Sequence, residues 1–209
     1  MSPRAYRLGR RAEAGEETRA RVLAAARKVL LGPDGARGFS IDAVAQEAGV
    51  SRMTVYYRFE SRSGLLEAVF DDLAASGRMD KLRGAFQRPD PVEALFQFID
   101  VFVGFWNSGR VLLRRLHGLG AMDPELERAL RARGERRRRG LNVLVQRIAE
   151  QEGLPASTSA EDLVDVLFAL TSFETFDALA RGKRRPDEVA VLVRRLALAA
   201  LGRWDATTP

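Results

Sequence analysis

The 209-residue chain contains no cysteine. That absence excludes a disulfide framework, a thiol nucleophile and any thiolate-bound metal. Histidine is nearly missing: His117 stands alone. A histidine-rich zinc site is therefore excluded, and a Ser-His-Asp triad has one residue around which to form. Lysine occurs only at Lys28, Lys81 and Lys183, so 31 of the 34 basic residues are arginine. Codon bias in a GC-rich genome accounts for this without functional meaning. Long apolar runs are lacking too. The most apolar stretch, 92–106, is broken by Glu93, Gln97 and Asp100, whereas a membrane span needs about 20 apolar residues. The N-terminus is arginine-rich and has no apolar core of a secretory signal. A cytoplasmic protein is expected.

What is present has the balance of a soluble globular protein, 46% hydrophobic and 30% charged, long enough for one ordinary domain or two small ones. The net charge is +6 with a sequence pI near 10.4, which raises the expectation of a nucleic-acid partner. Its location weakens that argument. Residues 1–76 hold 12 basic and 10 acidic residues, a net of +2, while 128–139 alone hold seven arginines against Glu135. The basic cluster in the body reads as a solvated helix surface.

Residues 1–16 show no apolar periodicity and are expected to be a flexible arm. Arg4, Arg7, Arg10 and Arg11, with no acid before Glu13, suit minor-groove or backbone tracking and equally suit a solvated tail. From Thr18 the periodicity is helical almost throughout, and no stretch alternates as a strand. Val22, Ala25, Ala26, Val29 and Leu30 make the stripe of a first helix, which Gly32-Pro33 ends. Ser40 caps a short helix over 41–48 that stops at Gly49, Ser51 caps the next to about 59, and Ser61 caps a fourth to about 76. Residues 77–90 read as polar and interrupted. Pro91 opens a long helix to 107, followed by helices over 110–118, 124–151, 160–180 and 186–202. The composition shift near 77 predicts an all-α chain with a small head, 17–76, on a larger helical body, 77–209.

The informative segment is 40–59, SIDAVAQEAGVSRMTVYYRF. Two short helices joined through a glycine describe a helix-turn-helix. Ala45 is small where the helices approach, and Val44, Ala48, Val50 and Val55 supply the inward surface. Ser51 turns a helix N-terminus with free N–H groups toward phosphate. Outward positions are Arg52, Met53, Thr54, Tyr57 and Arg58, a donor-rich face with an apolar side chain for thymine methyls. An ordinary αα-corner with a solvated polar face has the same local pattern.

The wider context resembles the N-terminal domain of the TetR family of bacterial transcriptional regulators, from Thr18 to Phe70. The matching residues are Phe39-Ser40, Ile41, Val44, Ala45, Gly49-Val50-Ser51, Thr54-Val55-Tyr56, Phe59, Ser61-Arg62 and Leu65-Leu66. The resemblance implies DNA-binding heads, a dimer, and a helical C-terminal domain that binds a small molecule and dimerises. By position, Ser40 and Tyr56 resemble phosphate contacts, and Arg52, Thr54 and Tyr57 recognition-helix contacts. Arg62 stands where the family usually has lysine and keeps the charge. Met53 departs from the small residue common at its position, which points to apolar base contact. Part of the Tyr56 ring is expected in the core, its hydroxyl reaching phosphate.

In the body, the helix at 91–107 is apolar nearly all round and central to its domain. Its aromatics either fill a core or line a pocket. Candidate pocket walls are Phe96, Phe102, Trp106 and Phe173. Candidate polar anchors are Asp100, His117, Arg137 and Glu174, each on a helix face that reads as inward. Arg137 has three options: binding a ligand carboxylate, pairing with Asp100 or Glu174, or snorkelling outward. The stripes Val189, Leu192, Val193, Leu196 and Leu163, Leu167, Leu170, Phe173 on the last two helices suit a four-helix dimer interface or an intramolecular core.

The sequence thus predicts a homodimeric DNA-binding regulator, released as a repressor from a pseudo-palindromic operator by an unidentified small-molecule effector. It predicts no enzyme activity, no cofactor, no metal and no membrane partner. The alternative is a helical small-molecule-binding protein without sequence-specific DNA binding.

Overall fold

A computed structural model describes residues 3–77, 79–155, 158–182 and 184–203, with side chains from residue 13 onward. Among these residues there are α-helices, one 3-10 turn and no strand. In chain order the helices are α1 (Pro3–Leu31), α2 (Ile41–Ala48), α3 (Arg52–Phe59), α4 (Arg62–Ser76), α5 (Leu82–Phe86), α6 (Pro91–Ser108), α7 (Arg110–Gly120), α8 (Pro124–Glu152), α9 (Ala160–Leu170), α10 (Phe173–Leu179) and α11 (Pro186–Ala200). The 3-10 turn is Met79–Lys81.

Two expectations of the sequence are corrected. The arm over 1–16 is helical from Pro3. Arginine, alanine and glutamate are good helix formers, and an apolar stripe reports burial, not helicity, so its absence said nothing about the backbone. The side chains of Arg4, Arg7, Arg10 and Arg11 lie outside the described residues. The single helix expected over 160–180 is two, α9 and α10, broken at Thr171-Ser172. The Ser172 hydroxyl accepts from the Thr175 amide at 3.1 Å and so starts a new helix, while the Thr171 hydroxyl donates to the Leu167 carbonyl at 2.8 Å. Such local side-chain bonds compete with the helix ladder.

The chain divides into two compact units, 1–73 with 111–130, and 74–110 with 131–209. The first is therefore larger than the sequence-defined head, because α7 from Val111 and the start of α8 pack with it. Its core contains Val22, Ala26 and Leu30 of α1, Val44 and Ala45 of α2, Val55 of α3, Leu65 and Leu66 of α4, and Leu113 and Leu116 of α7. Arg115 of α7 closes the C-terminus of α1, donating to the Leu30 carbonyl and, at 3.0 Å, to the Gly32 carbonyl. The Leu30 carbonyl lies in the last turn, where helix carbonyls lack intrahelical partners, and the Gly32 carbonyl also accepts from the Gly35 amide at 3.1 Å.

The second unit is built around α6. Asp90 caps it, accepting from the amides of Val92 and Glu93 at 2.8 and 3.0 Å, with Pro91 in the first turn. Leu95, Phe98, Ile99 and Phe105 are fully or almost fully buried, and α5, α10 and α11 pack on α6. The α9–α10 break leaves carbonyls that cannot stay unpaired when buried, since each would cost about 1–3 kcal/mol. Trp106 Nε1 donates to the Thr171 carbonyl at 2.9 Å. Arg137 donates to the Thr171 and Phe168 carbonyls at 3.1 and 3.3 Å. The stripe Val189, Val193 and Ala197 of α11 is buried within this unit.

Candidate nucleic-acid interface

The corner between α2 and α3 is closed by backbone chemistry specific to glycine. Gly49 adopts φ 63°, and the bonds Gly49 N to Gln46 O (3.2 Å) and Val50 N to Ala45 O (3.0 Å) satisfy the last carbonyls of α2. Ser40 and Ser51 cap the two helices, accepting from the amides of Ala43 and Thr54 at 3.1 Å each. The Ser51 and Thr54 hydroxyls lie 2.8 Å apart. Both serine hydroxyls are therefore committed to helix starts.

After α3 the chain reverses through a γ-turn. Glu60 sits at φ 64°, ψ −47°, and Ser61 N donates to the Phe59 carbonyl at 2.6 Å. A non-glycine residue in this conformation stores strain. The first turn of α4 then passes so close that a Cβ on Gly64 would lie 2.2 Å from the Phe59 oxygen. Neither Glu60 nor Gly64 had a sequence signal beyond its place beside a cap.

The outward face of α3 carries two uncovered large side chains. Tyr57 is 83% and Met53 73% exposed, although large apolar side chains are usually covered. Arg52 stands on the same face, also exposed, and is held by two neighbours. It donates from Nη1 to both carboxylate oxygens of Asp42, at 3.1 and 3.2 Å, and from Nη2 to the Tyr56 hydroxyl at 3.3 Å. The Tyr56 hydroxyl bond and the Asp42 charge raise the Arg52 pKa above its ordinary value. Tyr56 is half-buried, with the Arg52 guanidinium 5.4 Å from its ring centre as well as on its hydroxyl. Thr54 is half-buried beside its cap.

Two arginines depart from the sequence picture. Arg58, expected on the outward face, is half-buried with its guanidinium 5.8 Å from the Tyr57 ring centre. A Cβ on Gly15 would come within 2.9 Å of its Nη2, so Arg58 folds toward α1. Arg62, expected to reach phosphate, donates to Asp123 at 3.3 Å and stacks 5.4 Å above the Phe39 ring. Ser63 donates to the same carboxylate at 2.9 and 3.0 Å, and the Leu126 amide at 3.1 Å. Asp42 and Asp123 were not singled out from the sequence, because their partners lie ten and about sixty positions away.

The candidate pocket residues separate. In the second unit a small cavity of about 10 Å³, the space of one water, is walled by Phe102 and Trp106 together with Ile99, Val103, Thr171 and Phe176. Phe173 packs behind Trp106, ring centres 5.7 Å apart. Arg137 is buried rather than snorkelled, 8% exposed, with its guanidinium 4.3 Å from the Phe168 ring centre and under 6 Å from those of Phe102 and Trp106. Burial lowers its pKa to about 10, against a raising effect of Glu174. Asp100 is half-exposed and pairs with Arg194 of α11, and Phe96 lies under the same arginine at 5.4 Å. Glu174 is exposed. The inward placement expected of Asp100 and Glu174 is thus corrected: each sits at the edge of an apolar stripe, from which a short polar side chain reaches water. His117 belongs to the first unit, in the last turn of α7.

Residues 22–69 match the family model described as bacterial regulatory proteins, tetR family. No curated protein matches the sequence. Among solved structures, the chain is similar to PfmR, a TetR family transcriptional regulator from Thermus thermophilus, at 23% identity and TM-score 0.65, covering 86% of this chain and 98% of that one. It is similar to a TetR-like transcriptional regulator from a Rhodococcus species at 22% identity and TM-score 0.67, covering 88% and 96%. Salmonella enterica GusR aligns at 19% identity and TM-score 0.63, covering 89% and 96%. The likeness extends over nearly the whole of each chain and shows a shared fold.

Proposed function

We propose that this chain, which carries in residues 22–69 the N-terminal domain of the tetR family of bacterial regulatory proteins, is a sequence-specific DNA-binding transcriptional regulator of the cytoplasm. The single observation that supports this best is the face of α3, where Met53 and Tyr57 stand uncovered beside a braced Arg52. Arg52 suits a guanine edge, Met53 a thymine methyl, and Thr54 and Tyr57 the neighbouring positions. Ser40, Ser51, Tyr56, Arg58 and Arg62 serve phosphate contact, after Arg58 swings away from Gly15 of α1 and Arg62 exchanges Asp123 for DNA.

The working form is a homodimer. Part of the apolar surface of α9 and α11 remains open at Val166 and Val191, 44% and 42% exposed, and these two helices are the proposed interface. The dimer sets two recognition helices about 34–36 Å apart on successive major grooves of a pseudo-palindrome. A small molecule bound in the second unit favours a conformation with weaker DNA affinity, by about 1–3 kcal/mol if the coupling is ordinary. Such a protein acts by binding rather than by catalysis, and as a repressor.

Genome-wide capture of fragments on the purified protein at moderate salt tests the proposal. Enrichment of one palindrome, lost in Arg52→Ala with Tyr57→Ala, supports it. Enrichment without sequence preference, or none, overturns it, and none would favour a ligand-binding protein that does not read DNA.

A further inference from the structure

We propose that the space beside Arg137 in the second unit binds a small apolar carboxylic acid as its anion, with the carboxylate on the Arg137 Nε–H and the hydrocarbon part in the neighbouring cavity. This deepens the effector part of the proposed function by naming the ligand class.

The first ground is an incompletely partnered buried cation. Arg137 is 8% exposed, and its hydrogen bonds run to two neutral acceptors, the carbonyls of Thr171 and Phe168. Nε has no hydrogen-bond partner, and the charge that acts on the guanidinium from Glu174 comes from an exposed side chain. Burying a charge is costly, and Glu174 offsets that cost only in part, because burial still lowers the Arg137 pKa. The second ground is that the cation is held in place. The rings of Phe168, Phe102 and Trp106 lie 4.3, 5.7 and 5.8 Å from the guanidinium carbon. Cation–π contact and two carbonyls therefore orient the guanidinium while one donor stays unpaired.

The third ground is the cavity. Phe102, Trp106 and Thr171 both line it and contact Arg137. The other walls are apolar, Ile99, Val103 and Phe176 among them, except for Ser172, whose hydroxyl is engaged by Thr175. One buried cation beside a mostly apolar wall suits a monoanion with a hydrocarbon body, whereas a phosphate dianion calls for further donors, and those of Trp106, Thr171 and Ser172 are already engaged. The free space as it stands is about 10 Å³, so a ligand displaces wall residues on binding. Thr171 and Ser172 in the wall are the junction of α9 and α10. There two capped helices meet, and they can part without breaking a continuous ladder.

The test uses the full-length protein without DNA. Benzoate and hexanoate are titrated against benzamide and hexanamide, the uncharged amides of the same shape, by calorimetry and by tryptophan fluorescence, since Trp106 borders the site. The expected result is binding of an acid and at least about tenfold weaker binding of its amide, the worth of a hydrogen bond to a charged group. Arg137→Gln is expected to lose the preference for acid over amide while keeping its circular dichroism. Equal binding of acid and amide, no binding of either acid, or an unchanged preference in Arg137→Gln overturns the proposal. The acid–amide comparison on the unaltered protein decides even where the variant fails to fold. Because DNA is absent, acid binding by a protein that ignores palindromes would uphold the site and overturn only the regulator.

Discussion

Arg62 donates to Asp123 across 3.3 Å, joining the start of α4 to the turn before α8. The same carboxylate accepts from Ser63 and caps α8 through the Leu126 amide. A residue whose charge suggests a phosphate contact is thus already occupied by an acid of its own unit, and any DNA phosphate competes with Asp123 for it.

Asp123→Asn tests that competition. Asparagine still caps a helix, so the fold is retained while Arg62 is released. Salt titration of operator binding should steepen by about one phosphate contact, a slope change near 0.9. An unchanged slope with raised affinity would mean that Arg62 already leaves Asp123 for the backbone in the unaltered complex, and an unchanged slope and affinity that it never reaches the backbone.

The same variant has a pH signature. Burial pushes the Asp123 carboxyl up, but the hydrogen bonds from the Leu126 amide and Ser63 and the charge of Arg62 outweigh it and hold the pKa below its ordinary 3.8. A depressed folded-state value contributes stability above the unfolded value, and that contribution is lost as pH falls through the folded one. The gap in denaturation midpoint between the unaltered protein and Asp123→Asn should be constant from about pH 7 to 5 and close below about pH 4. A gap that persists in acid would assign the difference to the α8 cap alone.

Asp42 governs how Arg52 reads DNA. With Nη1 on Asp42 and Nη2 on Tyr56, the guanidinium is fixed before it meets a base. Arg52→Ala should cost about 1–3 kcal/mol of discrimination at one base pair. Asp42→Asn should leave affinity for random DNA equal or higher while lowering the preference for the operator, because a released arginine finds phosphate. Competition binding with single-base operator variants measures both.

Gly49 and Gly64 should fail differently on substitution by alanine. At Gly49 a Cβ meets nothing within 4 Å, so the cost is the left-handed backbone alone, about 1–2 kcal/mol. At Gly64 it meets the Phe59 oxygen at 2.2 Å, and relief requires α4 to move from the end of α3, at about 1–3 kcal/mol of overpacking. Gly64→Ala should therefore weaken operator binding beyond its loss of stability, whereas Gly49→Ala should show the stability loss alone. Thermal unfolding alongside binding separates the two.

In Arg137→Met the relief of a buried charge opposes the loss of a donor to two carbonyls, of which that of Thr171 keeps Trp106, so stability at neutral pH should shift by less than about 1–3 kcal/mol. With the folded-state pKa lowered from arginine's ordinary value to about 10, the unfolded chain binds more protons between those values. The penalty is thus present below about pH 10 and relieved as pH rises through that range. Denaturant titration at pH 7 checks the sign: a clear destabilisation would show that the carbonyl bonds of Arg137 outweigh its desolvation.

The helix-turn-helix was legible because everything that makes it is local. Ser40, Gly49 and Ser51 act on amides and carbonyls within five residues, so α2 and α3 begin and end where the sequence places them. Helicity of the body was legible for the same reason, through Pro91 and the apolar pattern of α6. The partners of the charged residues were not. That Arg62 faces Asp123, that Arg58 turns to Gly15, and that Asp100 leaves the core for Arg194 depend on contacts up to 94 positions apart, which periodicity does not encode. Nor does an apolar pattern reveal that Thr171 and Ser172 interrupt a helix. That break frees the carbonyl that Trp106 and Arg137 share, and a buried arginine needs such acceptors because water is not there to supply them.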